Sequence, residues 1–141
     1  YDLDLKYDHV KLEQRIKVCA VVMHQVCHRF NDGEQAFTPK DIHEVTKIPQ
    51  QIINHAVKEL LQAKLLVEIR SEKKGSFEES IILHPIEKID HLTYGAMIER
   101  LFTYGADVVG LAEQNPDWEK WKDIDVLNAE FVESGKSINF V

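Results

Sequence analysis

His24, Cys27 and His28 fall within little more than one helical turn. Imidazoles at i and i+4 share a helix face, a spacing that zinc ligands use. A thiol beside an imidazole is also the raw material of nucleophilic catalysis. Neither chemistry is completed by the chain. His43 could approach as a further ligand, but no third or fourth ligand follows from the spacing, and no orienting group or oxyanion hole accompanies the thiol. There is no Gly-rich phosphate loop, nucleophile elbow or paired-carboxylate motif. The simpler expectation is that Cys27 packs inward and one histidine is exposed. We therefore expect no catalytic residues, no metal, no cofactor and no small-molecule ligand.

A second set of residues could read nucleic acid. Gln50, Gln51, Asn54, His55 and Lys58 share one stretch, and Lys73 and Lys74 follow in a polar hairpin. Carboxamides pair with adenine edges, and lysines neutralise phosphates. Charge weighs against this use. Six Lys or Arg between Lys47 and Ser80 face five Asp or Glu, and Glu72, Glu78 and Glu79 flank the hairpin lysines. The formal net charge is -7, whereas DNA affinity comes mainly from cationic side chains. A third set, Trp118, Trp121 and Phe131, lies in an acidic segment. Aromatics of this kind anchor interfaces, or they cover the domain's own core, which is the reading we prefer for these three.

The elements that position these residues follow from periodicity. Leu12, Ile16, Cys19, Val22, Met23, Val26 and Phe30 recur at helical steps, predicting a helix over about 8–30. Asn31-Asp32-Gly33 stops it. Thr38 is an N-cap, Pro39 suits the first helical position, and Asp41 places negative charge in the first turn. That helix runs to about Thr46. Pro49 restarts the chain, and Ile52, Ile53, Ala56, Val57, Leu60 and Leu61 form the core stripe of a helix over 49–63. Residues 64–69 read as a strand, 71–80 as a polar hairpin, and 81–83 as the returning strand ended by Pro85. A fourth helix over about 92–104 is capped by Asp90 or Thr93 and stopped by Gly105. Trp118, Trp121, Ile124 and Leu127 suggest a short docked helix, and 134–141 a frayed end or an interaction strand.

This order predicts a mainly α fold: a winged helix-turn-helix with a small two-stranded wing and a C-terminal helical extension. One domain covers 1–141, with 1–7 a linker, 8–104 the winged-helix core and 105–141 the extension. Cys19 and Cys27 are too far apart along one helix to be bridged, so buried, reduced thiols of a cytoplasmic setting are expected.

The segment 28–69, the following 84–101 (HPIEKIDHLTYGAMIERL) and the late WEKW at 118–121 resemble the cytosolic C-terminal region of YihY/BrkB-type inner-membrane proteins, historically labelled ribonuclease BN. The resemblance covers roughly residues 1–130. It implies a fragment of a longer membrane protein, with membrane-spanning helices preceding Tyr1 and this domain on the cytoplasmic face. It carries over no functional residues. The expectation is a non-catalytic regulatory or protein-interaction domain that binds a protein partner or itself, through the third helix and wing or through the late aromatics. The alternative is a DNA-binding transcriptional regulator, and a weaker one a tRNA-processing ribonuclease.

Overall fold

The computed structural model describes residues 6–72 and 79–141. A 3-10 turn at Tyr7–His9 precedes helix α1 (Leu12–Asn31), which is followed by α2 (Pro39–Thr46) and α3 (Gln50–Gln62). Strands β1 (Leu66–Glu72) and β2 (Glu79–Pro85) pair antiparallel, with Leu66 opposite Pro85 and Ile69 opposite Ile82. A 3-10 turn at Ile89–His91 leads into α4 (Tyr94–Thr103), and α5 (Trp121–Gly135) closes the chain. The fold is the expected winged helix: mainly helical, with one two-stranded wing. The hairpin tip with Lys73 and Lys74 lies outside the described residues.

Local chemistry accounts for the helix starts. Thr38 Oγ1 accepts from Asp41 N at 3.1 Å, and Asp41 Oδ2 accepts from Thr38 N at 2.9 Å, a reciprocal capping box that satisfies two otherwise orphaned donors. Thr93, not Asp90, caps α4 by accepting from Ala96 N. The turn between α2 and α3 bends at Lys47, whose φ of 62° is left-handed. The Thr46 hydroxyl accepts from Ile48 N within that turn.

The core sits where α1, α2 and α3 meet the base of the wing and α4. Val22, Met23 and Val26 of α1 pack with Ile42, Ile53, Leu60, Leu65, Leu83, Leu92, Met97 and Ile98. Each such side chain contributes about 1.5–3 kcal/mol by leaving water. Both thiols are free and buried, as expected. Leu12 and Phe30, assigned to the core stripe by periodicity, are instead exposed at the two ends of α1. Leu12 stands in the first turn of α1, and Phe30 sets its ring edge to face against His84 of β2 at 5.5 Å instead of entering the core.

The N-terminal end departs from expectation, and the C-terminal end excludes one of its two expected forms, the frayed one. α1 starts at Leu12, not near Asp8, because Tyr7–His9 coil into a separate turn that buries Tyr7. Tyr7 is therefore part of the domain and not of a linker. Its hydroxyl donates to Glu59 Oε2 at 2.9 Å, its ring stacks on His55 at 5.0 Å, and Arg15 lies over its ring at 5.4 Å. At the other end, 134–141 is not frayed. Asn139 forms a bridge with Thr93, Tyr94 N donates to Ile138 O at 2.8 Å, and Phe140 is buried in the core cluster. α5 also begins at Trp121, leaving Trp118 in the preceding turn.

Candidate functional site

The helix-turn-helix presents α3 to solvent along one strip. Ile52, Ile53, Ala56, Val57 and Leu60 are buried. At 100° per residue the opposite face holds Gln51, Lys58 and Gln62, flanked by Asn54 and His55, and all five are exposed. Lys47 and Lys40 are exposed beside this strip, on the turn and on α2.

Not every expected surface residue is available. Gln50 Nε2 donates to Asn54 Oδ1 at 2.9 Å and to Pro39 O at 3.4 Å, so Gln50 joins α3 to α2. That bond uses the oxygen of the exposed Asn54 side chain. His55 is exposed but has one face covered by the Tyr7 ring, the two planes inclined by only 5°. Gln51 and Lys58 stand clear. Gln62 and Lys47 were missed in the sequence reading. Gln62 lies seven and four residues from His55 and Lys58, a helical-wheel position that could have revealed it. Lys47 is aimed by the turn geometry, which its residue type does not announce.

The histidine set is split by the fold. Cys27 is buried, while His24 and His28 are exposed with rings 5.5 Å apart. His24 Nδ1 lies 2.6 Å from Phe140 O, and His28 Nδ1 lies 3.0 Å from Asp32 Oδ2. His43, the possible further ligand, has its Nδ1 2.5 Å from Ile48 O and serves the turn. Among the described residues no three His, Cys, Asp or Glu are grouped to hold a metal. Burial pushes the Cys27 thiol up to about 12. The Cys19 thiol is likewise raised to about 12, by burial first and then by the Glu59 carboxylate. Both are protonated at neutral pH, the opposite of what a nucleophile needs.

The late aromatics do not cover the core. Trp118 and Trp121 meet edge to face at 4.9 Å, and Trp121 Nε1 donates to Asn115 O at 3.1 Å. Phe131 lies 6.4 Å from Phe102 of α4 and is 47% exposed. Leu127 and Val126 are more exposed still. In α5 only Gly135 is buried. It sits backbone to backbone against Gly95 of α4. Beyond that contact, a groove of about 630 Å³ opens between the two helices.

Charge is distributed unevenly. Residues 105–141 hold eight Asp or Glu and three Lys or Arg, so the extension carries -5 of the net -7. Residues 38–70 hold five Lys or Arg and four Asp or Glu. Two of those four are engaged internally, Asp41 in the capping box and Glu59 with Tyr7.

The chain matches no family model and no curated protein. Solved structures share its fold. The structure of CymR (YrzC), the global cysteine regulator of B. subtilis, aligns with a TM-score of 0.52 at 15% identity, covering 91% of this chain and 97% of that one. CymR of Staphylococcus aureus aligns with a TM-score of 0.52 at 13% identity, covering 90% and 92%. A candidate transcriptional regulator from Listeria innocua gives 0.52 at 14% identity, covering 84% and 81%. No helix among the described residues is long and apolar enough to cross a membrane.

Proposed function

We propose that this chain is a DNA-binding transcriptional regulator that reads the major groove with α3. The observation that carries this reading is the outer strip of α3. Gln51, Asn54, Lys58 and Gln62 face solvent from a helix whose other face is locked into the core. Rigid anchoring of that kind suits base readout, because a recognition helix has to hold its register in the groove. The carboxamides of exposed Gln51 and Asn54 are of the type suited to adenine edges. Exposed Lys58 and Lys47 supply positive charge for phosphates. The net charge that weighs against DNA belongs mainly to the extension and not to this face. The likeness to regulators over most of the chain supports the same reading.

The test is a titration of the chain against a mixed-sequence duplex pool at several salt concentrations. Binding should weaken steeply with salt, and Lys47→Glu or Lys58→Glu should each lower the log–log slope by about 1. Absence of binding at the lowest salt would refute the proposal.

A second reading is favoured by the exposed apolar surface of α5 and the resemblance to YihY/BrkB-type proteins. Here the domain is a non-catalytic interaction module on the cytoplasmic face of an inner-membrane protein. It predicts that both lysine reversals leave function unchanged. Trp118→Ala, or Leu127→Asp, should then abolish capture of the partner.

A further inference from the structure

We propose that the groove between α4 and α5 is a docking site for a basic amphipathic helix of a partner protein. This site is separate from the α3 strip and does not depend on the DNA reading. Phe102, Ala129 and Val132 give it an apolar stripe, beside the polar Thr103 and Asn128. Its rim carries carboxylates from both helices, Glu99 on one side and Asp125 on the other. Glu133 and Lys136 also line the groove and neutralise each other as an ion pair at 3.0 Å.

The groove's dimensions fit a helix. From Asp125 to Lys136 the lining of α5 runs about 16 Å, or roughly three turns. An amphipathic helix of that length presents one apolar stripe, at i, i+4 and i+7, between two polar flanks. Lysines or arginines on those flanks would meet acidic side chains on both rims. A glycine pair marks the close end of the groove. Gly95 and Gly135 let the helices touch there, and about two turns further along α4 Phe102 meets Phe131 with ring centres 6.4 Å apart. Charge argues against the other occupants. A second copy docking through this face would bring two strongly acidic extensions together, which is costly. Nucleic acid would be repelled for the same reason.

The experiment is a calorimetric titration of the chain with a synthetic helical peptide of about four turns, bearing leucines on one stripe and lysines elsewhere. A peptide of identical composition in shuffled order is the control. The amphipathic peptide should bind, and the shuffled one should bind about tenfold more weakly or worse, because charge alone does not order an apolar stripe. Ala129→Arg, at an exposed position of α5, interrupts the groove's apolar stripe and should weaken binding by about tenfold without changing the circular dichroism spectrum. Glu99→Lys with Asp125→Lys should do the same and remove the salt dependence. Three results would overturn the proposal: no binding, equal binding of the shuffled peptide, or full binding by the Ala129→Arg variant. A fourth would be a dimer in solution that Ala129→Arg turns into a monomer, since the occupant would then be a second copy.

Discussion

Gly95→Ala should detach α5 from the winged helix. A Cβ at this position would stand 2.3 Å from Val132 O, 2.6 Å from Lys136 N and 2.8 Å from the carbonyl carbon of Gly135. All three atoms are backbone, so no rotamer change relieves the clash. Restoring ordinary contact requires the helices to part by about 1 Å. Overpacking of this kind costs about 1–3 kcal/mol. Within a helix, glycine to alanine would otherwise gain about 1 kcal/mol, so the sign of the effect is itself diagnostic. α5 buries little besides Gly135, and swinging away is its cheapest response. The assay is hydrogen exchange read by mass spectrometry, alongside calorimetric melting. Amides of 121–135 and Tyr94 N, which donates to Ile138 O, should lose protection, while α3 keeps its own. A net loss near 1.5 kcal/mol corresponds to a fall in Tm of about 4–8 °C in a chain of this size. Gly33→Ala is the comparison. Gly33 has φ +69° and no atom within 4 Å of a built Cβ, so that variant should lose about 1 kcal/mol from backbone strain and leave α5 protected. A Gly95→Ala variant that melts higher, or keeps protection over 121–135, would refute the reasoning.

Other outcomes follow from the two chain ends and the buried thiols. Phe140→Ala should cost about 3 kcal/mol by emptying a core position, and denaturant titration should show the lower midpoint. Tyr7→Phe removes the hydrogen bond to Glu59 and keeps the ring on His55. It should cost about 1–2 kcal/mol, and equal stability of the variant would show that the bond contributes nothing. Cys19 and Cys27 should resist a thiol reagent at neutral pH until the chain unfolds, and labelling at the rate of a free thiol would contradict their burial. In the unfolded chain these thiols ionise near 9, and in the fold near 12. The folded state therefore favours the protonated form. Its contribution is intact below pH 9 and declines as pH rises toward 12, so melting temperature should fall across that window.

Much of the fold was legible locally. The stripe Ile52, Ile53, Ala56, Val57 and Leu60 named α3 and its buried face by spacing alone. Thr38, Pro39 and Asp41 marked the start of α2 because a helix end needs donors satisfied within three or four residues of it. These signals are short-range, and a chain read in order contains them. The candidate strip on α3 follows from the same wheel, since what does not face the core faces outward.

Tertiary structure decided the rest. Tyr7 reaches Glu59 across 52 residues, and His24 meets Phe140 O across 116. No periodicity links such partners, so the first residues read as a linker and the last as either a frayed end or an interaction strand. Gln50 and His55 have the same residue types as an open reading face, yet contacts with Pro39 and Tyr7 engage them. Gly95 and Gly135 look like ordinary weak points in two helices. Only their meeting gives them a role, because close backbone approach is a property of a pair, and sequence order does not say which residues will form it.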